Sequence, residues 1–415
     1  MEIIIHRGTH QIGGCVTEIK SSKGTRIFID IGENLPSLEE PKPEIQVPGL
    51  FSEPRECDAI FITHYHGDHV GMLNRVLDGI PVYMGDISFK VFEYLTNRVD
   101  KAFGNKAKDI AKFKDIQTFV AGDKISINDI IVTPYRVDHS AYDAYMFLIE
   151  CDGKKILHTG DFRTHGWIGK GVNLVAKKLI RKVDIIITEG TMVSRMTEDT
   201  VIEDIMTEKD LYEKFKDFLK TNNIFVMCSS TNIDTIAGLY MATQELGKLF
   251  VSDGYQRAVL DIVTKDPNPK KHEMYNFHKV KKYWVDKKGI PRQDTIDKMK
   301  AMGFCCLVRA NDYDMFPNLI KSFPDAKVIY SVWDGYLHKD KPYRNESYIK
   351  MVDQFNALTD NWHTSGHATF KAIQELCTIL GPTYIIPIHT EKPKKFKEIN
   401  GAKIVLLEDK EPFCL

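Results

Sequence analysis

The sequence contains no CxxC pair. Its eight cysteines, at positions 15, 57, 151, 228, 305, 306, 377 and 414, are scattered through 415 residues. That pattern argues against a thiolate zinc site or a disulfide framework and for reduced core thiols. No apolar run approaches the ~18–20 residues that span a bilayer. The opening MEIIIHRG has no basic segment followed by a long apolar stretch, so no secretory signal and no membrane association are expected. An excess of one charge is also missing: Lys+Arg is 56 against Asp+Glu 57, a net −1. Gripping nucleic acid by bulk charge is therefore excluded, although a local basic groove is not. Internal repeats and low-complexity tracts are absent too. The expectation is a soluble, cytoplasmic protein.

What is present is an ordinary globular composition, 43% hydrophobic against 27% charged, which favours a packed core over disorder. At roughly 150 residues per domain, the length predicts two or three domains. Short apolar, β-branched runs recur at 3–5, 17–20, 26–31, 59–63, 129–133, 155–157, 184–188, 224–227, 248–251, 304–308, 327–332 and 384–388. Each is bounded by Gly, Pro, Asp or Asn and reads as a buried strand. Amphipathic stretches such as 200–221 and 233–246 lie between them. Strands alternating with helices predict an α/β protein. Residues 1–190 open with strand–turn–strand patterning of stacked sheets, whereas 200–345 reads helix–strand–helix–strand, as in a doubly wound sheet. Pro36, Pro41, Pro43, Pro48 and Pro54 crowd one loop, an irregular connection or the rim of a site.

The run 59–63 leads into His64-Tyr65-His66-Gly67-Asp68-His69. Neutral imidazoles and carboxylates suit a borderline divalent metal such as Zn²⁺. Gly67 is expected to let the loop fold tightly, so that His64 with His66, and Asp68 with His69, face two adjacent ions. His139, Asp161 and His389 each follow an expected strand. Singly, such a residue is more often a cap; together they complete a two-metal set in which an aspartate bridges both ions, at the strand ends where open α/β sheets place their sites.

This order resembles the metallo-β-lactamase superfamily of αββα hydrolases. Glu189-Gly190-Thr191, the string His363-Thr364-Ser365-Gly366-His367-Ala368, and Pro387-Ile388-His389 are similar to the three additional motifs of the β-CASP nucleases, and the HxSGHA string is especially like ribonuclease J. The resemblance covers nearly the whole chain. It implies a metallo-β-lactamase domain in two parts, 1–195 and 346–415, with a doubly wound α/β β-CASP domain inserted at 196–345. It implies that His64, His66 and His139 hold one metal, that Asp68, His69 and His389 hold the second, and that Asp161 bridges. The cofactors implied are two divalent ions per chain, Zn or alternatively Mn. Asp68, Glu189 and His367 are the expected catalytic residues, with His367 oriented by Glu189 to serve the leaving oxygen. Ser365, Gly366 and the backbone near Ala368 are expected to cradle a phosphate, with His363 beside them.

The activity implied is a metal-dependent ribonuclease, endonuclease or 5′ exonuclease, in which a hydroxide activated by two ions attacks the RNA phosphodiester. RNA-cleaving members usually carry His at the last motif where a DNA-repair branch has Val, so His389 favours RNA. The alternatives are a DNA nuclease of the same family and a nucleic-acid-binding scaffold without catalysis. Single-stranded RNA is the expected partner. Residues 265–292 mix nine Lys/Arg with Tyr275, Phe277, Tyr283 and Trp284, a combination suited to single strands. Lys392, Lys394, Lys395 and Lys397 add charge after His389. Two departures stand out. The Ser-Asn-x-x-Arg element of ribonuclease J-like proteins reads Ser229-Ser230-Thr231-Asn232-Ile233-Asp234-Thr235 here, leaving Ser230 and Asn232 to touch phosphate without an arginine. The chain also ends 26 residues after His389, so the usual C-terminal extension and its dimer contact are not expected, and nothing indicates a homo-oligomer.

Overall fold

The structure is a computed structural model. It describes residues 1–35, 44–196, 205–268, 273–283, 291–309 and 316–415. The chain divides into two compact units, one formed by residues 1–35, 41–204 and 366–415 and the other by 36–40 and 205–365. From sequence the boundaries were expected at 195 and 345. In the structure the helix Glu346–Phe355 lies in the second unit, where Met351 is fully buried in that unit's core with Tyr348, Val352 and Phe355 against it.

The first unit holds two seven-stranded sheets. In one the order is Pro412–Cys414, Glu2–Arg7, Val16–Lys20, Arg26–Ile29, Ala59–Phe61, Val82–Gly85 and Ile116–Phe119. In the other it is Lys403–Ile404, Tyr384–Pro387, Ile185–Thr188, Lys154–His158, Tyr145–Cys151, Ile130–Arg136 and Ile125–Ile127. Strand periodicity explains the layering, because successive side chains point to opposite faces. In Tyr145–Cys151, residues 145, 147, 149 and 151 join a core shared with Ile3, Ile5, Ile27 and Phe61 of the first sheet. Met146 and Leu148 face the other way, onto Ile373, Leu376 and Leu380 of the helix Phe370–Leu380. Ile185, Ile186 and Ile187 alternate between the same two cores. These strands are buried on both faces, which is why they read as continuous apolar runs. The helix Asp86–Phe103 buries Ile87 and Val91 against the outer face of the first sheet. The layers are therefore helix, sheet, sheet, helix, the αββα arrangement expected.

The second unit is built on a wholly parallel sheet in the order Lys281–Lys282, Leu249–Ser252, Phe304–Val308, Ile224–Cys228, Lys327–Ser331. Phe225, Met227, Phe304, Cys306, Val328 and Tyr330 face one core with Ile296, Met299 and Phe316. This is the doubly wound sheet expected from residues 200–345.

Seven of the eight cysteines are buried and Cys414 is exposed, all of them as free thiols. Among the described residues, no helix is long and apolar enough to cross a membrane. Pro36, Pro41 and Pro43 lie outside the described residues. Val47 and Leu50, within the later part of that Pro-rich loop, are fully buried.

Candidate metal centre

Strand direction builds the site. Ala59–Phe61 runs parallel to Arg26–Ile29 and to Val82–Gly85. Lys154–His158, Ile185–Thr188 and Tyr384–Pro387 are mutually parallel, with His158 opposite Ile187 and Thr188 opposite Pro387. The residues just beyond these strands, Asp30, His64, Asp161, Glu189 and His389, therefore emerge at carboxyl ends. Gly67 does not play the part expected of it: a Cβ there meets nothing, and its φ is not left-handed. The close approach falls instead at Gly32, where a Cβ would collide with the Asp68 backbone.

The imidazoles converge through particular nitrogens. His64 Nε2 lies 3.0 Å from His66 Nδ1, and His139 Nε2 lies 3.4 Å from the same atom. His69 Nε2 is 3.2 Å from Asp161 Oδ2, and His389 Nε2 is 3.3 Å from Asp68 Oδ2 and 3.8 Å from Asp161 Oδ2. In four of these five rings the opposite nitrogen is held from behind. His139 Nδ1 donates to the Gly366 carbonyl (2.7 Å), His69 Nδ1 pairs with Asp30 Oδ2 (2.7 Å), His64 Nδ1 meets Thr63 Oγ1 (3.0 Å) and His389 Nδ1 meets Thr191 Oγ1 (2.7 Å). A partner at Nδ1 fixes the tautomer that leaves Nε2 as the ligand atom. Sequence reading missed these orienting residues. Asp30 carried the one available signal, a carboxylate at the end of the strand beside His64.

The donor set fits divalent metal. His64, His66 and His139 form one group whose ligand atoms all lie within 4.8 Å of one another, Asp68, His69 and His389 form another, and Asp161 joins groups with His64 and His69 and with Glu189, His367 and His389. His69 Nε2 is buried and lies 3.2 Å from Asp161 Oδ2 without a hydrogen bond of regular geometry. A buried polar atom aimed at a carboxylate without bonding to it is the geometry of two ligands to one ion.

Burial and neighbouring charge divide the groups. Desolvation, reinforced by His69, His66 and His139, holds His64 far below the ordinary imidazole pKa. His139 is likewise well below it, again chiefly through burial, and burial brings His66 down to about 4. These rings are neutral and ready to ligate. At His69, burial opposes charge, but Asp161, Asp30 and Asp68 outweigh it and push the pKa well up. His389 moves up for the same reason, through Asp161 and Asp68. Asp161 is held far below the carboxylate range by His389, His69 and His367, against its own desolvation.

Glu189 is 1% exposed and bound at both oxygens. Oε1 accepts from Phe162 N (3.0 Å) and Ala368 N (3.3 Å), and Oε2 accepts from Thr191 N (3.3 Å) and His367 Nδ1 (3.0 Å). His367 Nδ1 also lies 3.5 Å from Asp161 Oδ2, and its side chain is 19% exposed. The Ala368 N–H is thus committed to Glu189 rather than open to a phosphate. Gly366 supports His139: its carbonyl takes the ring proton, and a Cβ would stand 2.9 Å from Ser140 Oγ.

Ser230, Asn232, His363 and Ser365 belong to the second unit. Asn232 is buried and caps the helix Ile233–Glu245, its side chain accepting from Thr235 N. Ser230 Oγ lies 3.4 Å from the Tyr255 hydroxyl, and His363 and Ser365 are half-buried. Among the described aromatics of the 265–292 stretch, Tyr275, Phe277 and Tyr283 are core residues rather than a stacking surface, and Tyr275 donates to Asp234 at 2.6 Å. Lys270, Lys271, Trp284, Lys287 and Lys288 lie outside the described residues. A cleft of about 600 Å³ lined by Lys20, Arg26, Arg55 and Asp58 opens where the strands of the first sheet begin, opposite the metal groups, and gathers no comparable ligands.

Residues 25–207 match the family described as "Beta-lactamase superfamily domain", and the layered fold with metal-ligand groups at its strand ends is consistent with such a domain. A domain of this superfamily implies divalent metal, and the histidine and aspartate groups are able to bind it. Within the superfamily the chain is similar to proteins named ribonuclease J, consistent with the β-CASP, ribonuclease J-like family. It is 21% identical to "Ribonuclease J 2" of Streptococcus pyogenes over 88% of this chain and 65% of that one. It is 24% identical to "Ribonuclease J" of Mycoplasma genitalium over 82% of this chain and 59% of that one. The chain thus spans 65% and 59% of the length of these two relatives. A solved structure described as a protein of unknown function from Enterococcus faecalis V583 shares the fold, with a TM-score of 0.74 at 21% identity, covering 100% of this chain and 99% of that one.

Proposed function

We propose that the chain is a ribonuclease that hydrolyses RNA phosphodiester bonds with two divalent ions, Zn or Mn. His64, His66 and His139 would hold one ion, Asp68, His69 and His389 the other, and Asp161 both. When bound, the ions supply Lewis-acid stabilisation of phosphoryl charge and lower the pKa of water. The carrying observation is that Nε2 of His64, His69, His139 and His389 all turn inward, each fixed from behind, beside a half-buried His367 held by Glu189. A scaffold without catalysis has no use for this preorganisation. Glu189 takes the Nδ1 proton of His367, so the nitrogen left to serve the leaving oxygen is Nε2. The names of the relatives supply the RNA. Endonuclease and 5′ exonuclease action both fit this chemistry.

A labelled single-stranded RNA with 5′-phosphate, 5′-hydroxyl or 5′-triphosphate ends, incubated with and without chelator, tests the reading. Metal-dependent products are expected, as a mononucleotide ladder for an exonuclease or as discrete fragments for an endonuclease. His367→Asn should lower kcat by about 10²–10⁴-fold while metal content stays at the wild-type value. Asp161→Ala should lose both. Cleavage of DNA alone, or metal content below one ion per chain, would refute the proposal.

A further inference from the structure

The carboxyl end of the strand Glu2–Arg7 carries a buried guanidinium whose bonds lead toward the metal groups. Glu2–Arg7 and Arg26–Ile29 both run antiparallel to Val16–Lys20 between them, and Ala59–Phe61 runs parallel to Arg26–Ile29. Residues 8–15, 30–35 and 62–72 therefore leave the sheet at one end. The first two segments form a cradle for the third. Gly32 N donates to the Cys15 carbonyl at 3.0 Å, and a bridge joins Gly13 to Asn34. From this cradle three N–H groups reach three consecutive carbonyls of the turn that bears Asp68 and His69. Glu33 N donates to Gly67 (2.9 Å), Cys15 N to Asp68 (3.2 Å) and Ile31 N to His69 (2.8 Å), and Met72 N returns a bond to the Ile31 carbonyl (2.9 Å). A planar peptide held by its carbonyl has little freedom to rotate, so these bonds set where the Asp68 and His69 side chains point.

Arg7 locks the cradle. Its side chain is buried. Nε donates to the Gly14 carbonyl at 2.7 Å, and one terminal nitrogen donates to the Gly32 carbonyl and lies 3.7 Å from Met72 Sδ. One guanidinium thus joins both cradle segments to the far end of the ligand turn. Gly14 makes room for it: its φ is +68°, and a Cβ there would stand 2.7 Å from Arg7 Nε. The planar fork serves carbonyls on two separate segments, which a point-like ammonium cannot match. A buried donor left unpaired is costly, so the guanidinium and its acceptors hold one another in place. The next residue extends the reach, since the Gly8 carbonyl accepts from His389 N at 2.7 Å. Asp68, His69 and His389 are thereby all anchored at this end of the strand. His64 and His139 are held elsewhere, by Thr63 Oγ1 and the Gly366 carbonyl.

We infer that Arg7 is a positioning residue for the turn Gly67–Val70 and, through it, for the metal position formed by Asp68, His69 and His389, and that it leaves the position formed by His64, His66 and His139 unaffected. The division into two metal positions rests on the proposed function. The clamp on the turn does not.

The test compares wild type, Arg7→Lys and Arg7→Met in two measurements. Hydrogen exchange of the chelator-treated, full-length proteins needs no metal. Peptides covering residues 13–16 and 30–34 should exchange about tenfold faster in both variants, while peptides covering Ile185–Thr188 keep the wild-type rate. Arg7→Lys keeps the buried charge and carries the test should Arg7→Met fail to fold. Zn²⁺ affinity is then read stepwise against a chromogenic chelator. In Arg7→Lys one ion should bind about 10–100-fold more weakly and the other within about twofold of wild type. Adding Asp68→Ala to Arg7→Lys should leave that tighter ion bound, and adding His64→Ala should remove it. A merely structural arginine would instead lower protection across the whole sheet or weaken both ions alike. Either result, or wild-type behaviour of the variants, overturns the inference. If the wild type binds no Zn²⁺ while the cradle loosens in the variants, the two-metal reading fails and the clamp stands.

Discussion

Asp30→Asn is the most discriminating change the metal centre offers. Asp30 is fully buried and accepts three hydrogen bonds, from Thr63 N (2.8 Å) at Oδ1, and from Thr63 Oγ1 (2.9 Å) and His69 Nδ1 (2.7 Å) at Oδ2. Its φ is +61°, a conformation that asparagine tolerates nearly as well, so the backbone should stay in place. With the amide oxygen facing Thr63 N, the NH2 faces two former donors. His69 must then offer Nδ1 as acceptor and carry its proton on Nε2, the atom aimed at Asp161. The Thr63 hydroxyl, now an acceptor, must turn its hydrogen to His64 Nδ1, which moves that ring's proton to Nε2 as well. Both rings then bind metal only by breaking a buried hydrogen bond worth about 1–3 kcal/mol. Losing the Asp30 charge also makes His69 less basic, which removes a competing proton. A divalent ion, however, gains twice what a proton gains from the same charge, so the net effect remains a loss. Metal affinity should fall about 10–100-fold. The apo protein, with its donors re-paired, should lose only about 1–2 kcal/mol. Competition against a chromogenic chelator measures the first, and urea unfolding of the apo protein the second. Wild-type affinity for both ions in Asp30→Asn would refute orientation through Asp30.

Three further outcomes follow from the same contacts. Metal entering at His64, His66 and His139 should displace almost no protons at pH 7, whereas metal entering beside His69 and His389 should release them, because those rings hold protons whose pKa values are raised. Calorimetry in buffers of different ionisation enthalpy separates the two, and equal release at both would contradict the charge pattern. Burial works to raise the Glu18 pKa, but hydrogen bonds from His6 (2.6 Å) and Arg26 (2.5 Å and 2.8 Å) outweigh it and leave it depressed. Its contribution is thus complete above the unfolded carboxylate pKa and is lost as pH falls through the lower folded value. Glu18→Gln should therefore cost about 1–3 kcal/mol at pH 7 and less near pH 3, as read by urea unfolding at both; an undiminished cost in acid counts against it. Gly160→Ala, at φ +54° with a Cβ 2.8 Å from Thr63 Cγ2 and 2.9 Å from the Tyr145 carbonyl, should lower stability by about 1–3 kcal/mol and disturb Asp161, seen as weaker metal retention on dialysis.

Sequence made the interior of the fold legible and its edges much less so. The runs at 26–31, 184–188 and 384–388 are apolar on both faces because they lie between two packed layers, and continuous apolarity survives in sequence whatever the neighbours are. Ile125–Ile127, Lys403–Ile404 and Pro412–Cys414 are short strands with exposed or half-exposed positions. The last two pair with strands distant in sequence, as Glu2 pairs with Cys414, and no local pattern encodes that, whereas Ile125–Ile127 is too short to read by itself and takes its structure from a hairpin with residues 130–132. The 265–292 stretch shows the converse failure. Tyr275, Phe277 and Tyr283 interleaved with lysines read as a stacking surface, but their spacing is equally that of rings turned inward between solvated lysines, and burial decided for the core.

At the site, the ligands were legible and their supports were not, for a physical reason. A ligand needs a rare residue type at a strand end, and His64, His66, His69, His139 and His389 satisfy that condition visibly. A support needs only one acceptor at the right place, and a threonine or a backbone carbonyl provides it as well as a carboxylate. Thr63, Thr191 and the Gly366 carbonyl are invisible for that reason, and Asp30 was hidden inside an apolar run. The left-handed backbone at Asp30 and His389, φ +61° and +53°, belongs to the same argument. A chain leaving a parallel strand continues straight unless a residue turns it, and at these two positions the turn swings a polar side chain inward across the sheet end. Conformations that L-residues adopt at a cost persist where surrounding contacts over-determine them. Here those contacts are three hydrogen bonds on Asp30, and on His389 the Thr191 hydroxyl at Nδ1 together with its own N–H donating to the Gly8 carbonyl at 2.7 Å. The strain is therefore local to the residues that must stay aimed when no ion is bound, so the apo protein should keep its ligand geometry rather than assemble it around the metal.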